Sequence, residues 1–335
     1  MLIFQYYLLF FEIQITLKSY MLKYLKNIFL FIVMLVLTNT ALANEQKVHL
    51  LIEQTLGNSI DIKNVSILSG GLTNLTYKVQ WQKLSLVVRI GRLNPEELFI
   101  DRELELQFIR YANFLGIAPN ILYAAPKQGV MISEFINGDV LTSRDIKKPL
   151  IMKKVVEQIK QYQKFQQPFE DKHALFHRIQ HLIQQLKSQQ FEIPEAYIKA
   201  YNWSENLESK RVKSKFSVAT HYDLFSGNML LSGKKIKFID WEYAGWGEPY
   251  IDIALIAVID NLNMKEQRKL FELYKPNARN EEFEDFSNLC LQARVYVAIW
   301  SLFQSYCVEP ELCETYINLA NERIENFWKL VQEEV

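Results

Sequence analysis

Three oxygen-bearing side chains in the C-terminal half stand at spacings that suit phosphoryl transfer. The run His221-Tyr222-Asp223-Leu224-Phe225-Ser226-Gly227-Asn228 places a carboxylate five residues before a carboxamide, and Asp240 follows twelve residues later. A phosphoryl group in transfer spreads negative charge over its oxygens, so a protein that moves one has to supply cations and position. Mg²⁺ takes hard oxygen ligands, commonly one or two carboxylates completed by phosphates and water. Asn228 and Asp240 are ligands of that kind. Asp223 is then kept free of metal to orient an attacking hydroxyl, and His221 holds the loop rather than reacting.

The elements around these residues have to bring them together. Lys234-Lys235-Ile236-Lys237-Phe238-Ile239-Asp240 alternates exposed lysines with apolar residues and reads as a strand. Met229-Leu230-Leu231 reads as its hairpin partner, with Ser232-Gly233 near the turn. Both metal ligands then lie at the open end of one hairpin. A lone His-x-Asp is common. With Asn at the right offset and an apolar strand ending in Asp, the set matches the catalytic loop of protein kinases, followed by their second, metal-holding Asp.

Upstream, two alternating apolar segments flank Ser69-Gly70-Gly71-Leu72-Thr73-Asn74, a hairpin with a glycine turn. Glycines let backbone N–H groups approach phosphate oxygens. By itself this is a plain turn; ahead of the catalytic loop it reads as a phosphate-covering loop, with Gly70, Gly71, Thr73 and Asn74 as its nucleotide-facing residues. Leu84–Ile90 is a buried strand carrying one charge, Arg89. A cation inside such a strand needs a partner, and arginine forks well onto phosphate. The helix that begins near Asp101-Arg102 offers Glu105 first, or Glu103, to pair with it. Ser133-Glu134-Phe135-Ile136 reads as a hinge whose backbone, around Glu134 and Ile136, would meet adenine.

Gly70-Gly71-Leu72-Thr73-Asn74, Val88-Arg89-Ile90, Asp101-Arg102 with Glu105, the His221–Asn228 loop and Ile239-Asp240-Trp241-Glu242-Tyr243-Ala244-Gly245 together resemble the choline/ethanolamine kinase family. The bacterial choline kinases that decorate lipopolysaccharide are most alike, and aminoglycoside phosphotransferases and thiamine kinases are wider relatives. The resemblance spans about residues 60–310. It implies an α+β, two-lobed protein-kinase-like fold: a small antiparallel-sheet lobe for nucleotide over 45–136, and a larger helical lobe for catalysis and substrate over 137–335. It also implies ATP- and Mg²⁺-dependent phosphorylation of a small alcohol. Asp223 would be the base, Asn228 and Asp240 the metal ligands, and Arg89 the phosphate clamp.

Family choline pockets combine aromatic rings with acids, which suits a quaternary ammonium. Trp241, Glu242, Tyr243, Trp246, Tyr296 and Trp300 are the candidates here, although a single aromatic is more often plain core. Trp300 matches one of two family tryptophans; Val297 stands at the other. The family Asp after the metal loop is Asp252, expected here at the substrate. The family Glu seven residues on is replaced by Ile259, with Asp260 next to it and one helical position out of place.

The chain has 335 residues, 49% of them hydrophobic and 13% aromatic, enough for a sizeable core. Basic and acidic residues balance at 38 each, which gives no footing for nucleic acid. Cys290, Cys307 and Cys313 have neither an even count nor CxxC spacing, so a disulfide framework or zinc site is not expected. His173, His177 and His181 are spaced four apart, but the plain reading is polar helix residues. Lys23 and Lys26, the apolar run Ile28–Leu37 and Ala41-Leu42-Ala43 form the pattern of a secretory signal peptide starting at Met21. Residues 1–43 thus read as a mis-started leader plus signal or membrane anchor, the only expected route to a membrane. Export sits uneasily with ATP use, which favours a cytoplasmic working side. Thiamine or aminoglycoside phosphorylation, and a secreted pseudokinase without turnover, remain open alternatives.

Overall fold

The computed structural model describes residues 48, 50–53, 55, 62–68, 74–91, 95–211, 214–308 and 310–333. The leader read in residues 1–43 lies outside them. The chain divides into two compact units, residues 1–66 with 79–83 and residues 67–78 with 84–335. The first holds most of β1 (Ile62–Ile67) and a short helical stretch in which Val48, Leu51 and Ile52 are buried.

The second unit carries every element used below except Val79–Trp81, the end of its first strand. Its larger sheet has the order β2 (Asn74–Trp81), β3 (Leu84–Gly91), β5 (Val130–Glu134), β4 (Ile121–Ala125). On β3, Leu86 and Val88 are fully buried while Arg89 projects from the other face, as the two-residue strand period requires. β3 runs antiparallel to β5, with Arg89 opposite Met131. Helix α1 (Arg102–Phe114) starts at Asp101, whose carboxylate accepts from the N–H groups of Glu103 and Leu104, both at 3.0 Å. Glu103 and Glu105 suit the positive end of its dipole. The cap sets the phase of the helix so that Arg102, Glu105, Leu106, Phe108 and Ile109 face inward.

The rest is mainly helical. In chain order it comprises β6 (Asp139–Val140), α2 (Ser143–Ile146), α3 (Pro149–Tyr162), β7 (Gln166–Pro168), α4 (Leu175–Ser188), α5 (Glu195–Lys210), β8 (Phe216–Thr220), β9 (Met229–Ser232), β10 (Lys235–Phe238), β11 (Gly245–Gly247), α6 (Ile251–Ile259), α7 (Met264–Tyr274), α8 (Asn280–Cys307) and α9 (Pro310–Glu333). Two small antiparallel sheets, β10-β9-β6 and β11-β8-β7, frame the segment between β8 and β11. The expected hairpin is present, with Met229 opposite Phe238. Helix α6 buries eight of its nine residues. A helix that is apolar all round belongs in the middle of a core, and α6 is the post around which the site is built.

The architecture is the α+β, kinase-like one expected from the motifs. The histidines differ from their expected helical face. His173 precedes α4 and is buried, its Nδ1 lying 2.8 Å from Ser217 Oγ. Among the described residues no group of three or more His, Cys, Asp or Glu side chains is placed to hold a metal, and no helix is long and apolar enough to cross a membrane.

Candidate active site

The loop that leaves β8 is gripped at both ends by α6. Asp252, in the first turn, accepts from the N–H of His221 (3.1 and 3.2 Å) and of Tyr222 (3.1 Å). Tyr162 on α3 donates its hydroxyl to the same carboxylate at 2.5 Å. Asp260, just past the last turn, accepts from the N–H and Oγ of Ser226, at 2.9 and 2.5 Å, and from Ser143 Oγ at 2.9 Å. Both carboxylates are essentially unexposed. The structure therefore corrects the sequence reading of Asp252 and Asp260 as substrate residues: their oxygens are taken up in holding the loop.

Between those anchors the three expected side chains converge. Asn228 donates Nδ2 to the Asp223 carbonyl at 2.8 Å and to Asp223 Oδ2 at 2.9 Å. The N–H of Ile239 donates to Asn228 O at 3.0 Å, which places Asp240 beside Asn228. His221 Nε2 donates to Ile239 O at 2.9 Å. Asp240 and Tyr222 are both left-handed, with φ of 60° and 63°. For residues other than glycine this costs on the order of 1–2 kcal/mol each. The strain sits in the site itself: Tyr222 precedes Asp223, and Asp240 follows two residues after β10.

The charges are not balanced locally. Burial first, then Asp240 and Glu242, push the Asp223 carboxyl well above its usual range. Asp240 keeps 37% of its side-chain surface open. Even so, the surrounding protein, with Glu242 adding to it, pushes its carboxyl up to about 7. Burial pushes the His221 imidazole down to about 4, so it stays neutral. Two crowded acids beside an amide oxygen fit a hard divalent cation that would relieve their repulsion.

On the opposite side stands a ladder of buried ions. Arg89 Nη2 lies 2.5 Å from Glu105 Oε1, the pairing read from the sequence, and Arg89 Nη1 lies 3.8 Å from Asp240 Oδ1. Arg102 Nη1 joins Glu105 (3.0 Å) to Glu242 (3.2 Å), and its Nη2 donates to Asn74 Oδ1 at 2.9 Å. Asn74 Nδ2 in turn donates to Glu242 Oε2 at 2.7 Å. Glu242 is thus a buried member of this ladder, which corrects its expected place at the substrate. Gly70, Gly71 and Thr73 of the expected phosphate loop lie outside the described residues. Glu134 is exposed at the end of β5, and the half-buried Ile136 follows in irregular backbone.

The aromatic candidates separate. Trp241 is 1% exposed, donates Nε1 to Phe238 O at 3.1 Å and packs on Tyr162 and His221; it is core, not pocket. Trp246 packs on Phe108 and Phe165. Tyr243 and Trp300 do meet, Trp300 Nε1 donating to Tyr243 Oη at 3.1 Å, and Tyr316 of α9 lies edge-on to Trp300 at 6.2 Å between centroids. Three residues whose roles the sequence does not signal hold the site: Arg102, Tyr162 and Arg178. Arg178 covers the Tyr222 ring at 3.6 Å and donates to Tyr243 O at 2.9 Å, so one guanidinium braces the chain beside Asp223 and beside Glu242. It sits in a polar, Gln-rich helix whose sequence does not mark it. Arg102 lies within a family motif, but the spacing gives a physical reason only for its neighbour Glu105.

Residues 65–258 match the family model described as choline/ethanolamine kinase, more than half of the chain. The chain belongs to the choline/ethanolamine kinase family. Probable ethanolamine kinase A of Dictyostelium discoideum is 22% identical over 298 residues, covering 78% of this chain and 84% of that protein. An ethanolamine kinase of Plasmodium vivax superposes with a TM-score of 0.70 at 18% identity, over 86% of this chain and 89% of that one. LicA in complex with AMP superposes with a TM-score of 0.66 at 18% identity, over 84% and 98%. The chain is accordingly a phosphotransferase of the class that uses an alcohol as acceptor.

Proposed function

We propose that the protein transfers the γ-phosphoryl group of ATP, in the presence of Mg²⁺, to the hydroxyl of a choline- or ethanolamine-like amino alcohol. The observation that carries this reading is the convergence of Asp223, Asn228 and Asp240 on one open edge of the 229–238 hairpin. Asn228 Oδ1 and Asp240 would hold the metal, which supplies charge neutralisation to the phosphates when bound. Asp223 accepts the hydroxyl proton. Its hydrogen bond from Asn228 Nδ2 orients the carboxylate and favours the ionised form that accepts a proton. Arg89, held by Glu105, clamps phosphate oxygens. We assign nucleotide binding to lobe 45–136 and acceptor binding to lobe 137–335, with Tyr243 and Trp300 as the aromatic wall.

The test is ADP release by the purified protein with ATP and Mg²⁺ against choline, ethanolamine, thiamine and kanamycin. Turnover is expected with an amino alcohol and absent with kanamycin. Asp223→Ala is expected to lower kcat at least a hundredfold while its circular dichroism and melting midpoint stay near wild type. Tight nucleotide binding without turnover of any alcohol would replace this reading with that of a non-catalytic binder.

A further inference from the structure

Helix α4 carries two side chains that grip the entrance to α1. His181 Nε2 donates to the carbonyls of Glu96 and Glu97, at 2.9 and 3.2 Å. Both acceptors are carbonyls, so the ring proton sits on Nε2. The Phe99 ring lies edge-on to His181, 5.0 Å between centroids, and the Arg178 guanidinium lies over it at 4.8 Å. Arg178 and His181 stand three residues apart on one face of α4. Phe99 is left-handed, with φ of 61°, and comes two residues before Asp101, the cap of α1. A strained backbone of this kind persists where its surroundings hold it, and the two side chains of α4 supply the hold.

The same guanidinium reaches the catalytic chain. It covers the Tyr222 ring at 3.6 Å, and its Nη2 donates to Tyr243 O at 2.9 Å. Gly245 leaves room for it: a Cβ there would stand 3.3 Å from Arg178 Nη2 and 3.6 Å from Leu104 Cδ2, on α1. One side chain therefore touches the entrance to α1, the residue before Asp223 and the residue after Glu242. Arg178 is 5% exposed and has no ion pair among the described residues. Two ring faces and a carbonyl hold its charge. Burying a cation without a carboxylate is costly, and an apolar side chain of similar length would serve packing alone at lower cost. What the guanidinium adds is direction: its plane, its fork and its preference for ring faces fix three segments relative to one another.

We infer that Arg178 is a positioning residue. It locks α1, with Glu105 and through it Arg89, in register with the loop that carries Asp223. The effect on turnover rests on the reading under Proposed function; the lock itself does not.

The experiment compares the full chain with Arg178→Met, Arg178→Lys, Phe99→Leu and the doubles that combine Phe99→Leu with each Arg178 variant. It measures ADP release with ATP, Mg²⁺ and either choline or ethanolamine, the melting midpoint, and amide hydrogen exchange over residues 99–106 and 219–225. Arg178→Met is expected to lower kcat about tenfold or more, with smaller changes in both KM values and a melting midpoint near wild type. Arg178→Lys restores part of kcat. Phe99→Leu lowers kcat less, and adds nothing further in the Arg178→Met background. Exchange quickens in both segments of Arg178→Met. Wild-type kcat in Arg178→Met, a kcat loss that only follows a fallen melting midpoint, or Phe99 and Arg178 losses that multiply independently would overturn the inference and leave the alcohol-kinase reading standing. Absence of turnover by wild type would instead strike that reading. Hydrogen exchange then decides the lock separately, and a change confined to one of the two segments overturns it. Should Arg178→Met fail to fold, Arg178→Lys and its double with Phe99→Leu decide in its place, by the same test of independence.

Discussion

His221 shows how one buried side chain ties chemistry to stability. Its ring donates to Ile239 O at 2.9 Å and packs on Trp241, which sets the distance between the base loop and the strand that ends at Asp240. Protonation would place a charge in that core, so the native imidazole titrates at about 4 rather than 6.5. The sign follows from proton linkage. Between pH 6.5 and 4 the unfolded chain binds a proton that the folded chain refuses, so native stability falls as pH falls. The interval from 6.5 to about 4 corresponds to about 3 kcal/mol. A His221→Gln variant loses this dependence. Its stability deficit relative to wild type, measured by urea unfolding, is expected to narrow by about 3 kcal/mol from pH 7 to pH 4. An unchanged deficit would show that the histidine is not held neutral.

At the scale of elements, α6 acts as a clamp. Its two acids, eight residues apart, hold the two ends of the 221–226 loop through buried backbone groups. Asp252→Ala would strand the N–H groups of His221 and Tyr222 together with the Tyr162 hydroxyl. At about 1–3 kcal/mol per unsatisfied buried group, the expected loss is about 3 kcal/mol or more, read as a lower urea midpoint. Asp260→Ala strands two buried groups, the N–H and hydroxyl of Ser226, because its third donor, Ser143, is exposed to water, and is expected to cost about 2 kcal/mol or more. Its main effect should be on kcat, because Ser226 and Gly227 lead directly into Asn228. Equal stability losses in the two variants, with kcat untouched in both, would show that α6 does not clamp the loop. The close fit around the loop agrees with this role: a Cβ on Gly247 would stand 2.6 Å from Tyr222 Oη.

For the whole molecule, the governing feature is a set of crowded acids whose repulsion the proposed divalent cation would relieve. Asp223, Asp240 and Glu242 stand in one electrostatic neighbourhood, opposed by Arg89 and Arg102. Ligand that binds only the folded chain stabilises it by about 2.7 kcal/mol at one hundred times its Kd. Mg²⁺ with ATP is therefore expected to raise the melting midpoint by several degrees, and ATP with chelator by less. In Asp240→Asn the difference made by Mg²⁺ should largely disappear. A Mg²⁺-dependent shift of wild-type size in that variant would take Asp240 out of the metal site.

The catalytic spacing, the hairpin that displays it, the Arg89–Glu105 pair and the family were all legible in the linear chain. Each depends on short-range regularities: a two-residue strand period, a glycine turn, or a charge isolated among apolar neighbours. The fates of Asp252, Asp260, Trp241 and Glu242 were not legible. An acid or an indole close in sequence to a site is equally able to face the substrate or the core, and only long-range packing selects between them. Arg178 was silent for the same reason. Its partner Tyr243 lies 65 residues away, so its role exists only once the helices have come together. The chain by itself thus determined which chemistry is present, because reactive groups announce themselves by type and interval. Tertiary structure alone decided which polar groups hold the site together and which pack into the core, because burial is a property of the assembled fold.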